Sequence, residues 1–211
     1  MKYLAFFYPF YRSFLLFRRF WIPLLALSFL FGIFLLILHS LSSLLFPALH
    51  LEITFLIGSP FLIGYMNFQE QLQRTQVPSF RLFFSAWKEP LLFPSLGMGL
   101  MLVFFFILLR SVFSFFIPLG RWEWASTLLP LISGWICLVL AFSLYPRLIH
   151  NGRNLWEIWS SAWYALFRSR GNTFFFLTLC VAIFLLALRS YILFPLVLPV
   201  LIGAVLEHSQ A

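Results

Sequence analysis

Long apolar stretches separated by short polar belts run along the chain from Phe20 to its end. Six of them read as membrane-crossing helices: 20–39, 53–67, 91–109, 125–146, 173–188 and 191–206. The second has an alternative start near Leu44, and the third an apolar extension to Leu119. A helix rises about 1.5 Å per residue and the hydrocarbon core is about 30 Å thick, so about 20 residues fill it. Taken as one helix, 173–206 would run ~51 Å, too long for one crossing even with tilt. Arg189 and Ser190 interrupt it near the middle. Two readings stay open there: two short spans joined by a tight turn, or a re-entrant hairpin.

A different periodicity precedes each odd-numbered span. After Pro78, Ser79 is placed to cap a helix in which Phe80, Phe83, Phe84 and Trp87 recur at helical spacing, with Arg81, Ser85 and Lys88 on the other face. Asn154 is placed to cap another. Its polar stripe is Glu157, Ser160, Ser161, Tyr164 and Arg168, and its apolar side is Leu155, Ile158, Trp159, Ala162, Trp163 and Leu166. Near the start, Phe10, Phe14, Phe17 and Trp21 share one side, with Arg12 and Arg19 off that stripe. Helices of this kind lie in the membrane interface, apolar face down.

The even-numbered spans share a further signal. Pro60-Phe61-Leu62-Ile63 returns as Pro146-Arg147-Leu148-Ile149 and as Pro199-Val200-Leu201-Ile202. Gly64 and Gly203 follow two copies, and His150 the third. A single membrane domain of three pseudo-repeats follows, at about 1–66, 67–146 and 147–211, each an interfacial helix plus a span pair. Pro60, Gly64, Pro146, Pro199 and Gly203 are read as packing bends or helix ends, or else as kinks that open a vestibule. On the segment Ser59 to Gly64 and the Phe80 to Trp87 helix, the chain resembles the uncharacterised bacterial six-span inner-membrane proteins built from repeated interfacial-helix and span-pair units. That resemblance implies the layout and the compartment, and carries no functional residues.

Charge then orients the layout. The N-terminal segment holds Lys2, Arg12, Arg18 and Arg19; the second-to-third connection holds Arg74, Arg81 and Lys88; the fourth-to-fifth holds Arg147, Arg153, Arg168 and Arg170. Only Arg110, Arg121 and Arg189 fall on the other side. The positive-inside bias therefore puts both termini in the cytoplasm, which also demands an even number of spans. The basic stretch follows the first apolar segment and no small-residue cleavage site is present, so the first span is expected to be retained. Only 9% of the chain is charged and 63% is hydrophobic, too little polarity to cover a water-facing globule. The net charge of +8 is spread among apolar spans, which points to anionic lipid and not to nucleic acid. Cys137 and Cys180 both fall within spans and read as small buried hydrophobes.

Candidate chemistry is sparse. The chain has no Asp, and its acids are six Glu. Phosphatidyl transfer of the metal-dependent type needs several Asp. No His-Glu-x-x-His or Cys-x-x-Cys is present, and the four His sit at span boundaries, so no metal or cofactor is expected. Ser133-Gly134 lacks the upstream Gly of rhomboid-type proteases, with Leu131 in its place, and reads as a packing Ser. Glu52, Arg110 and Arg189 fall at the outer ends of their spans, either as a polar cluster or each snorkelling alone. The expectation is an all-α, non-catalytic scaffold or assembly factor of the bacterial inner membrane. It contacts anionic lipid through Arg18, Arg19, Arg81, Lys88, Arg168 and Arg170, with a membrane-protein partner or a second copy beside it. The alternative is a small carrier or lipid-handling protein with an apolar substrate between its repeats.

Overall fold

A computed structural model describes residues 2–46, 49–85, 88, 91–116, 123–151, 154–168, 172–188 and 193–210. Among them the regular elements are all helices, with no strand. In chain order they are α1 (Lys2–Arg19), α2 (Trp21–Leu45), α3 (His50–Thr75), α4 (Arg81–Phe84), α5 (Leu92–Phe116), α6 (Glu123–Asn151), α7 (Leu155–Arg168), α8 (Asn172–Leu188) and α9 (Leu193–Gln210). Among the described residues three stretches are long and apolar enough to cross a membrane: Trp21–Leu45, Leu92–Leu109 and Ile132–Ile149. Asn172–Ala187 and Leu193–Ser209 are apolar but shorter. α3 runs 26 residues but carries Glu52, Glu70 and Arg74.

Consecutive long helices fold back on one another. Near the α2–α3 joint the rings of His39 and His50 meet edge-on with centroids 5.4 Å apart, while further along Ser28 on α2 reaches Tyr65 on α3. The pair is therefore antiparallel. α8 and α9 behave alike: Phe184 packs on Phe194 at one end, and Phe176 stacks on His208 at the other. Residues 173–206 are thus two helices in a hairpin, not one long rod; Arg189 and Ser190 lie outside the described residues.

The contacts of α1, α4 and α7 bring them to one end of the bundle. α1 meets the C-terminal half of α9, α4 packs on α3 beyond Pro60, and Leu155 at the start of α7 touches Gly97 early in α5. Each of the three precedes a pair of longer helices in the chain. α7 forms as its stripe dictates. Asn154 Oδ1 accepts the Trp156 N–H at 3.2 Å, which satisfies one amide left open by the first turn, and Asn154 Nδ2 donates to the Glu157 carboxylate at 2.7 Å. Ile158, Ala162 and Leu166 are buried, while Trp156, Glu157, Ser160 and Tyr164 face outward.

Three expectations change. α2 does not stop at His39 but continues to Leu45, which rules out a start of the second span near Leu44. The serines there do not break the helix, because Ser42 and Ser43 hydroxyls bond back to the carbonyls of His39 and Ser40. The N-cap of α4 is Phe80 and not Ser79, with no side-chain cap; among the described residues α4 is the turn Arg81–Phe84, and residues 86 and 87 of the expected helix lie outside them. The Leu82 carbonyl is taken by Ser85 Oγ at 2.6 Å and Asn67 Nδ2 at 3.3 Å. In α1 the packed stripe is Pro9, Ser13, Leu16, Phe17 and Phe20 with Phe10, whereas Phe14 and Trp21 are exposed.

A continuous apolar core joins α2, α3, α5, α6, α7, α8 and α9. The outward surface is apolar as well. Phe29, Leu30, Ile33, Leu36, Ile37 and Leu41 form an exposed face along α2, and Phe93, Leu100, Phe104, Ile107 and Leu108 another along α5. Bare apolar faces of that extent, on helices of spanning length, fit a membrane protein.

Candidate functional site

The end of the bundle that carries α1, α4 and α7 also carries most described cations. Arg18 and Arg19 stand exposed where α1 ends, with Arg19 5.3 Å from the Phe20 ring centroid. Arg81 on α4 and Lys88 beyond it are exposed too. The structure therefore brings four of the six proposed lipid contacts to one end. The Arg168 side chain and all of Arg170 lie outside the described residues. Two other cations there are engaged within the fold. Arg12 pairs with Glu207 on α9 at 3.0 Å, and Arg74 with Glu70 one helical turn away at 2.6 Å.

Beneath this face lies a set of buried polar joints. Ser13 of α1 donates to the Val200 carbonyl at 2.7 Å and reaches that of Pro199 at 3.3 Å. Gln69 Nε2 of α3 donates to the same Pro199 carbonyl, so α1, α3 and α9 are tied at one point. A Cβ on Gly203 would collide with Ser13 Oγ and Gln69 Nε2, which makes this glycine the opening through which both side chains reach the α9 backbone. Deeper in the bundle Ser28 and Tyr65 share a hydrogen bond of 2.8 Å, and Ser59 and Tyr145 one of 2.6 Å. In an apolar interior such pairs fix which helix faces which. Sequence reasoning passed over Ser13, Gln69 and Tyr145. Their signal was faint: a lone Ser or Gln in an apolar stretch resembles a boundary residue.

The repeated prolines fall as follows. Pro60, Pro146 and Pro199 are all buried in the interiors of α3, α6 and α9, as are Gly64 and Gly203. None of them ends a helix, which corrects that half of the expectation. Two of the prolines adjoin joints directly, since Ser59 precedes Pro60 and Tyr145 precedes Pro146. At the far end Glu52 is buried at 8% exposure; the other two members of the expected outer polar cluster, the Arg110 side chain and all of Arg189, lie outside the described residues.

Between α2, α3 and α9 a cavity of about 580 Å³ opens, lined by Gly32, Ile33, Leu36, Thr54, Phe194 and others, with Ser28 and His39 as polar edges. It is apolar and of a size that takes a small molecule or an acyl chain. Among the described residues no group of three or more His, Cys, Asp or Glu side chains comes together. Comparison with protein-family models, with curated proteins and with solved structures finds no match.

Proposed function

We propose that the chain is a multi-pass protein of the bacterial inner membrane in which six helices (α2, α3, α5, α6, α8 and α9) cross, both termini are cytoplasmic, and α1, α4 and α7 lie at the cytoplasmic interface. The three units of one interfacial helix plus two spans are internal repeats. Its role is non-catalytic: a membrane-organising scaffold or assembly factor that grips anionic lipid. One observation carries this reading. The exposed cations Arg18, Arg19, Arg81 and Lys88 share an end of the bundle with the helices that precede each span pair, while the flanks present Phe, Leu and Ile. Each cation near an anionic leaflet contributes about 1 kcal/mol, so a collar of six discriminates lipids strongly.

The test is the lipid that copurifies with the protein. The wild type is expected to retain anionic lipid above its bulk proportion, and a variant with Arg18, Arg19, Arg81, Lys88, Arg168 and Arg170 changed to Gln to lose that enrichment. Equal anionic lipid on both would end the proposal.

The apolar cavity between α2, α3 and α9 favours a second reading, a small carrier or lipid-handling protein that holds an apolar substrate between its first and third units. A stoichiometric protein partner after mild solubilisation supports the scaffold. A retained apolar small molecule, displaced by Gly32→Phe, supports the carrier.

A further inference from the structure

A second hollow, of about 350 Å³, opens among α6, α7, α8 and α9 at the end where α7 sits. It differs in kind from the apolar cavity. Its polar lining comes from Ser143, Arg147, Tyr164, Thr173, His208 and Ser209, and none of its lining residues among those described is a carboxylate. The nearby acids are committed elsewhere, Glu207 to Arg12 and Glu157 to Asn154. Arg147 is only partly exposed, and its Nη1 donates to the Ser143 carbonyl and, at 2.9 Å, to the Ser143 hydroxyl. Those bonds use one nitrogen of a guanidinium that carries five N–H groups in a planar fork. A half-buried guanidinium without an anion beside it is costly, and an anion in the hollow would offset that cost.

The other walls suit an anion too. Thr173 stands in the first turn of α8, where backbone N–H groups have no helical acceptor and the dipole favours negative charge. His208 is held in place by a 3.3 Å hydrogen bond to Thr173 Oγ1 and by stacking on Phe176 with centroids 4.2 Å apart. The Ser209 hydroxyl, which donates to the Leu206 carbonyl at 2.7 Å and would have to turn to meet an anion, completes the polar wall. We propose that this hollow binds a phosphate group, with Arg147 as its principal donor and Thr173, His208 and Ser209 beside it. The group belongs either to the headgroup of an anionic lipid or to a soluble phosphate ester. For the lipid source the proposal rests on the membrane reading above, and it adds a discrete site to that diffuse collar.

The experiment uses the full-length protein in a neutral detergent, with dioctanoyl phosphatidic acid, dioctanoylglycerol and inorganic phosphate as probes, and native mass spectrometry with calorimetry as readouts. The wild type is expected to bind phosphatidic acid saturably and to ignore dioctanoylglycerol. Arg147→Gln is expected to weaken that binding at least about tenfold, the scale of one charge-assisted hydrogen bond. Ser209→Trp fills the hollow from the last turn of α9 while leaving Arg147 in the chain, and is expected to weaken it similarly; it decides the matter if the Arg147 variant does not fold. Competition by inorganic phosphate at comparable concentration assigns a soluble ester as the source, and its failure assigns a lipid headgroup. Binding of dioctanoylglycerol as tight as phosphatidic acid, no binding of either phosphate probe, or full binding by Ser209→Trp would overturn the site. The six-residue collar variant is expected to keep this binding, whereas Arg147→Gln keeps the bulk lipid enrichment, so the two proposals fail separately.

Discussion

Tyr145 on α6 and Ser59 on α3 meet hydroxyl to hydroxyl at 2.6 Å, each one residue before a buried proline. The bond couples two helices from different parts of the chain, at a place where either hydroxyl alone would be desolvated. Tyr145→Phe is expected to cost about 1 kcal/mol of stability. A double-mutant cycle with Ser59→Ala is expected to return about 0.6 kcal/mol of coupling, the scale seen between membrane helices. Unfolding in mixed detergent measures both, and additive single effects would show that the pair is not energetically linked.

Two glycines on neighbouring helices should answer oppositely to one added methyl. At Gly203 a Cβ meets Ser13 and Gln69 side chains, so Gly203→Ala is expected to destabilise by about 1–3 kcal/mol through overpacking. At Gly134 a Cβ meets nothing within 4 Å among the described residues, so Gly134→Ala is expected to be neutral or to stabilise by up to about 1 kcal/mol. Thermal midpoints of the two variants should move apart, and a common shift would contradict the packing described at Gly203.

Asn154 closes α7 through both atoms of its side-chain amide. Asn154→Ala is expected to cost about 1 kcal/mol, and Asn154→Ser much less, since its hydroxyl still accepts the Trp156 N–H and sets no like charge beside Glu157. Hydrogen exchange should quicken in the first turn of α7 for the Ala variant alone. Equal protection in the two variants would mean that the cap contributes nothing.

α3 ends on Gln76, which holds φ at 58° and returns its N–H to the Leu72 carbonyl. A left-handed C-cap suits glycine and costs an L-residue about 1 kcal/mol. The residue is exposed, so Gln76→Gly is expected to stabilise the fold by up to about that amount. A lowered thermal midpoint would contradict this.

Sidedness is open to chemical labelling. A single cysteine at exposed Lys88, in a background without Cys137 and Cys180, is expected to resist a membrane-impermeant maleimide in intact cells and to react after permeabilisation. Reaction from outside would reverse the proposed orientation.

The helical layout was readable because hydrophobic length and 3.6-residue periodicity are coarse signals that survive one-residue errors. α7 was legible nearly residue by residue, since its buried positions Ile158, Ala162 and Leu166 lie on the apolar side assigned from the pattern. α1 was legible in period but not in phase: Ser13 leads its packed face because the face ends on a backbone, and a carbonyl rewards a hydroxyl where a core rewards Phe. The end of α2 was hidden because Ser42 and Ser43 satisfy themselves within the helix and so only imitate a boundary. The two hollows could not be read at all, since each is lined from three or four helices distant in sequence.

The tie between Ser13 and the Val200 carbonyl has an implication for biogenesis. α1 docks on α9, a helix made long after it, so its resting place does not exist until that distant segment has been synthesised. Until then α1 must wait with its docking face unsatisfied. A chain cut short before residue 193 would leave that clasp permanently open, and quality-control proteases would meet an unfastened α1.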